Sequence, residues 1–125
     1  MSRIQFTATF PNIPSEQLGE FKRLAAQAIA ITRTEDDNLL YDWFFNADET
    51  KCVIHEAYAS SDAVFTHTEN LGELPARMSA VGGVMEVECF GTPSDELRSM
   101  LGAMSPDIYT PFRSEQLMTE QSMIA

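Results

Sequence analysis

LLYDWFFNADETKCVIHEAY, residues 39–58, reads as two β-strands joined by a tight polar turn. Aromatic and β-branched residues fill both arms, and Asn46-Ala47-Asp48-Glu49-Thr50 interrupts the apolar run between them. A turn centred on Asp48-Glu49 pairs positions whose numbers sum to 97. Strand side chains alternate, so one face collects Leu39, Tyr41, Trp43 and Phe45 beside Cys52, Ile54, Glu56 and Tyr58. The opposite face sets Leu40 against Ala57, Asp42 against His55 and Phe44 against Val53. Apolar groups on both faces predict two covers, one of helices and the other a second copy of the chain.

The flanking sequence supplies the helices. Ile4, Phe6, Ala8 and Phe10 alternate with polar residues, predicting a strand that Pro11 ends. Leu18, Phe21, Ala25, Ala28 and Ile29 recur at three- and four-residue steps, an apolar stripe suited to lie on a sheet, with Ser15 as its expected N-cap. That helix is expected to end by Thr32, with Thr34–Asn38 as a polar loop. After Tyr58, Ser60-Ser61-Asp62 caps a second helix carrying Ala63, His67 and Leu71 on one face. Leu74–Val81 reads as a further helical segment closed by Gly82-Gly83. Val84–Phe90 alternates as a fourth strand. Thr92-Pro93-Ser94-Asp95 opens a short helix toward Gly102, with Pro93 expected at its first position, and Pro106–Phe112 reads as a short extended segment.

The fold class is therefore α+β, a ferredoxin-like βαββαβ arrangement with an extra short C-terminal helix. Its strand order, 4-1-3-2, places strand 1 between Cys52 and Cys89, too far apart for a disulfide. Residues 1–113 are expected to form one domain and 114–125 a tail, frayed or docked on a partner.

Composition narrows the function. The 125 residues carry a formal net charge of −11 with only eight Lys plus Arg, scattered rather than clustered. Phosphate backbones and anionic membranes are bound through clustered cations, so neither nucleic acid nor membrane is an expected partner. The opening MSRIQFTATF lacks the apolar core of a secretory signal, and the expected location is cytoplasmic. No P-loop, Gly-rich dinucleotide turn, nucleophile elbow or CxxC is present, and no metal site is expected.

The stretch LLYDWFFNADETKCVIHEAYASSDAVFTHTEN resembles the core of the antibiotic biosynthesis monooxygenase (ABM) family. The resemblance lies in an aromatic strand, an acidic turn, a strand ending Glu-x-Tyr and a helix with Ala-x-x-x-His, followed by a small-residue linker into VMEVECFG. It is most specific at Trp43, Glu56, Tyr58, Ala63, His67 and Asn70. It implies a homodimeric α+β barrel with a ligand cavity between each sheet and its helices. It also implies oxidation of a small phenolic or quinol-like aromatic substrate by dioxygen, with no cofactor.

Such chemistry requires deprotonating the substrate so that its anion gives an electron to oxygen. A base of suitable pKa, oxyanion donors and a dry pocket assist it. His67 suits the base role, and Glu56 can orient His67 or take a proton itself. Tyr58, Asn70 and Trp43 can donate hydrogen bonds, while Trp43, Tyr41, Phe45 and Phe65 can wall a flat ligand. Each has a plainer reading: His67 as a satisfied structural histidine, Glu56 as a tie between strand and helix, and the aromatics as core. A non-catalytic ligand-binding module on the same scaffold remains the alternative. A haem-degrading relative is a third reading, disfavoured by the few cations available for propionates.

Overall fold

The computed structural model describes residues 3–112. The expectations for residues 1–2 and 113–125, the C-terminal tail among them, lie outside the described residues.

Five strands form one mixed sheet: β1 (Ile4–Phe10), β2 (Asn38–Phe45), β3 (Cys52–Tyr58), β4 (Glu86–Phe90) and β5 (Asp107–Tyr109). Their order, β2-β3-β1-β4-β5, contains the expected 4-1-3-2 arrangement. The extended segment after the last helix adds a fifth strand, parallel to β4. Four α-helices accompany the sheet: α1 (Leu18–Thr32), α2 (Ser61–Leu71), α3 (Leu74–Gly82) and α4 (Asp95–Leu101). This is the α+β ferredoxin-like class, and Cys52 and Cys89 are both free and buried.

Two expected helix starts differ. Ser15 caps nothing; it opens a single 3₁₀ turn, Ser15–Gln17, ahead of α1. Pro93 precedes α4 rather than entering it, because the Ser94 hydroxyl is the cap that accepts from the Leu97 N–H. Of the cap candidates Ser60-Ser61-Asp62, it is Ser60 that caps α2, its hydroxyl accepting from the Ala63 N–H.

The hairpin register is the one read from the turn. Leu40 faces Ala57, Tyr41 faces Glu56, Trp43 faces Ile54 and Phe45 faces Cys52. Asn46 holds the turn: its side-chain oxygen accepts from the N–H groups of Thr50 (2.9 Å) and Lys51 (3.0 Å). Glu49 takes the left-handed conformation at φ 58° and reaches Lys22 of α1 at 2.8 Å. The register slips at the other end, between Asn38 and Leu40, and Leu39 turns outward to 54% exposure instead of joining the inner face.

The inner face of the sheet carries two packed clusters. Phe21 centres the first, with its ring 4.9 Å from that of Phe10, 6.1 Å from Phe45 and 6.3 Å from Trp43. The second gathers Ile4, Phe6, Tyr58, Val64, Cys89, Leu97 and Leu101 under α2 and α4.

The other face is less apolar than its sequence suggests. Thr7 stands between His55 and Glu88, with Asp42 beyond His55 and Asp107 beyond Glu88, so a polar band crosses all five strands. Exposed apolar groups flank that band, Phe44 (50%) on β2 and the stacked pair Phe90 (36%) and Tyr109 (46%) on β4 and β5, in addition to Leu39 at the bulged end of β2. Among the described residues, no helix is long and apolar enough to cross a membrane.

Two glycines test this packing with opposite signs. A Cβ on Gly82 would stand 2.7 Å from the Phe21 ring, which three other aromatic rings hold in place. Gly82→Ala is expected to destabilise by about 1–3 kcal/mol through overpacking. At helical Gly19 a Cβ meets nothing within 4 Å, so Gly19→Ala is expected to stabilise by up to about 1 kcal/mol. Urea unfolding of the two variants checks both signs.

Candidate active site

A cavity of about 230 Å³ opens between the inner face of the sheet and the helices, where the two clusters fail to meet. Most of its wall is apolar: Phe6, Ile54 and Val87 from the sheet, Leu71 and Leu74 from the helices, and Met78, Met85, Met100 and Met104. Its polar lining consists of Thr68 and a group that gathers in one part of the wall: Tyr41 on β2, Glu56 and Tyr58 on β3 and His67 on α2.

Strand pairing and alternation bring these four together. Tyr41 is the cross-strand partner of Glu56, and Tyr58 is two residues on from Glu56, on the same face. The Tyr58 hydroxyl donates to the Glu56 carboxyl. The His67 ring lies 5.1 Å from that of Tyr41 and 5.3 Å from that of Tyr58. Glu56 is partly buried and lines the cavity.

Burial sets the protonation of the group. It pushes the Glu56 carboxyl up to about 7; the Tyr58 donor pulls against this, and the charge of Glu35 adds to it. Burial also raises the Tyr58 and Tyr41 hydroxyls well above the usual phenol range, with Glu56 adding to both, so both stay neutral donors. His67 is pulled below its ordinary value by burial, although its contact with Glu35 opposes the shift. At neutral pH the cavity therefore holds a neutral imidazole beside a carboxyl poised to carry a proton.

The residue that the sequence reading passed over is Glu35. It falls in the polar loop between α1 and β2, yet its side chain is only 5% exposed. His67 Nδ1 lies 2.9 Å from Glu35 Oε1, and Asn70 Nδ2 donates to Glu35 Oε2 at 3.1 Å. A carboxylate only accepts, so Nδ1 carries the hydrogen and Nε2 keeps the lone pair. Glu56, the expected orienter of His67, hydrogen-bonds Tyr58 instead; Glu35 occupies that place.

Tyr41, Trp43, Glu56, Tyr58 and His67 all line the cavity; Phe45, Phe65 and Asn70 do not. Phe45 packs on Phe21 with Lys22 Nζ 5.4 Å above its ring, and Phe65 packs against the cluster under α4. Asn70 is exposed and serves Glu35. Trp43 Nε1 is buried without a hydrogen-bond partner and keeps no accessible surface of its own, although other atoms of the ring line the cavity. His55 lies on the opposite face of the sheet, in contact with Phe44. Among the described residues, no group of three or more His, Cys, Asp or Glu could hold a metal ion.

A sequence profile described as antibiotic biosynthesis monooxygenase matches residues 6–72, from β1 to just past the end of α2. No curated protein matches the chain. Among solved structures, MupZ from Pseudomonas fluorescens is similar at 24% identity over 90% of this chain and 92% of its own, with a TM-score of 0.77. Rv0793 from Mycobacterium tuberculosis is 21% identical over 74% and 97%, with a TM-score of 0.65. A conserved protein from Methanosarcina mazei Go1 is 17% identical over 71% and 91%, with a TM-score of 0.64. Likenesses at these identities speak to the fold alone.

The raised Glu56 pKa has a measurable cost. Between about pH 4.5 and 7 the folded chain holds a proton on Glu56 that the unfolded chain has released. Stability contributed by this group therefore falls as pH rises through that window and stays lower above it. Glu56→Gln removes the titration, so its stability relative to the parent is expected to improve from pH 4 to pH 8 by about 2–3 kcal/mol. Urea unfolding of both proteins at the two pH values measures the difference, and a pH-independent gap would contradict the assignment.

Proposed function

The chain belongs to the antibiotic biosynthesis monooxygenase family, and on that premise we propose that it is a cofactor-independent monooxygenase acting on a small phenolic or quinol-like molecule. One observation carries the reading: a neutral histidine backed by a carboxylate shares an otherwise apolar cavity with a carboxyl whose pKa lies near 7. Catalytic acids and bases work best when their pKa values lie near the working pH.

In this reading a substrate hydroxyl lies against His67 Nε2, which takes its proton. The resulting anion gives an electron to dioxygen, and the substrate supplies every electron that the oxygen receives. Protonated Glu56, which accepts from Tyr58 on one oxygen, and the Nε2–H that His67 has gained are the donors available to the negative charge that develops on oxygen. The Phe, Met and Leu wall keeps water from competing for those donors. Trp43 and Tyr41 offer flat surfaces to an aromatic substrate.

The proposal includes a homodimer in which the helix-free face of the sheet meets a second copy. Phe44 and the Phe90–Tyr109 stack are among the apolar groups available to that contact. It also includes a cytoplasmic location, consistent with two buried cysteines left unpaired.

A second reading, ligand binding without turnover on the same scaffold, is favoured by the absence of Asn70 from the cavity wall, which leaves fewer donors around a reacting oxygen. Oxygen consumption separates the two. Metal-stripped protein supplied with a panel of hydroquinones is expected to consume oxygen. His67→Ala is expected to lower kcat/KM by about 10²–10⁴-fold while remaining folded. Unchanged turnover in that variant would remove His67 from the mechanism, and no turnover with any hydroquinone would favour the binding reading.

A further inference from the structure

Glu35 reaches the site from outside the elements that build it. Its neighbours Asp36 and Asp37, in the same loop, are exposed as acidic loop residues ordinarily are. Turning a carboxylate inward costs several kcal/mol unless hydrogen bonds and charge compensate it. Here both oxygens are engaged, and both donors come from α2, where positions 67 and 70 share a face one turn apart. The loop backbone is fastened too: the Glu35 N–H donates to Thr32 O at 3.0 Å, and the Ala59 N–H donates to Asp37 O at 2.9 Å. The carboxylate is thus held from the side chain and from the main chain.

The far side of the His67 ring is different. Among the described residues no group bonds Nε2, and the buried, unpartnered side-chain atoms are Asn38 Nδ2 and Trp43 Nε1. Nε2 therefore keeps accessible surface, and the residue lines the cavity. Thr32 Oγ1 lies 3.5 Å from Nδ1, but its hydrogen is spent on Ala28 O at 2.8 Å. The groups facing the ring are thus Thr32 from α1, Tyr41 from β2, Tyr58 from β3 with Glu56 bonded behind it, and Glu35 from the loop. Among the described residues, no Lys or Arg lines the cavity.

We propose that Glu35 is the positioning residue of the site, fixing His67 in the Nδ1–H tautomer with Nε2 free for a ligand and holding the imidazolium formed when Nε2 takes a proton. The reading rests on the base role proposed for His67. Its physical basis is the logic of a base oriented by a buried carboxylate: one nitrogen is tied down so that the other is always the acceptor, and the charge that develops on the ring is matched in place. Asn70 completes the arrangement by occupying the second Glu35 oxygen, which keeps that carboxylate from swinging to solvent.

A merely structural Glu35, fastening the loop to α2, would leave His67 chemistry untouched when Glu35→Gln retains an acceptor for the Nδ1–H. The decisive measurement is ¹⁵N NMR of the imidazole nitrogens against pH in the full chain, comparing the parent with Glu35→Gln and Asn70→Ala. The chain has only two histidines, and His55, on the other sheet face, serves as an internal control. The parent is expected to show the Nδ1–H tautomer at His67. Glu35→Gln is expected to lower the His67 midpoint by about one unit or more, with His55 unmoved. Asn70→Ala, which leaves both Glu35 and His67 in place, is expected to lower it less and so tests the clamp even if the first variant does not fold.

With a turned-over hydroquinone, Glu35→Gln is expected to lower kcat at least about tenfold with little change in KM, and to move the acidic limb of the pH–rate profile down with the NMR midpoint. An unshifted midpoint and tautomer in folded Glu35→Gln, or in Asn70→Ala should the former not fold, would overturn the proposal. The two readings fail separately. A Glu35-dependent midpoint without turnover of any hydroquinone sinks the monooxygenase reading alone. His67-dependent turnover with a midpoint indifferent to Glu35 sinks the clamp alone.

Discussion

Everything at the cavity depends on the pairing of β2 with β3. Because side chains alternate along a strand, the pairing of Tyr41 with Glu56 also fixes Trp43 beside Ile54, and turns Glu56 and Tyr58 to the same side. A slip by one residue would send Asp42 and His55 inward and the tyrosines outward. Asn46 prevents it locally, accepting two backbone N–H groups across the turn with a single side-chain oxygen. Glu49, in the left-handed conformation, then offers its carboxylate to Lys22 and ties the turn to α1. The same alternation leaves the outer face its polar band, so one register decides both surfaces of the sheet.

Given that register, the chemistry follows from how two carboxyl groups are treated. Glu56 is buried without a cation, and its environment favours the protonated form; the Tyr58 donor only partly offsets this. Glu35 is buried with partners on both oxygens, one of them a ring that can itself become a cation. The two carboxyls thus differ in protonation through their environments rather than through residue type, as happens where titratable groups sit in unlike surroundings. Because the charge on Glu35 helps to raise the Glu56 pKa while it supports a proton on His67, the two carboxyls are linked through space as well as through their shared wall.

Much of this was legible in the sequence because it rests on periodicity. The hairpin register, the strand order, the Ser60 cap and the inward placement of Tyr41, Trp43, Glu56, Tyr58 and His67 all follow from alternation, helical spacing and one turn. What escaped has no period. Glu35 stands in an acidic loop whose neighbours face solvent, and only the backbone path from Thr32 turns it inward. Phe45 and Phe65 share faces with cavity residues, but competing neighbours claim them, Phe21 the one and the cluster under α4 the other. Leu39 escaped because a bulge breaks the alternation that was used to place it. Ser15 and Pro93 miss by a residue or two, as helix ends ordinarily do.

The cavity itself argues for use rather than accident. Protein interiors are close-packed with few voids larger than a water molecule, so a recess of about 230 Å³ is a feature that its walls must maintain. The side chains around it include four methionines, the residue type best able to collapse into a void. Collapse is resisted because the walls are anchored elsewhere: Trp43 is packed against Phe21, Tyr58 is bonded to Glu56, and His67 is held by Glu35. The Phe21 cluster packs tightly enough that one added methyl at Gly82 would collide with it, while the neighbouring space stays open. Tight packing and an open recess are thus assigned to adjacent parts of one sheet face, and a ligand that enters the recess makes dispersion contacts with its apolar walls.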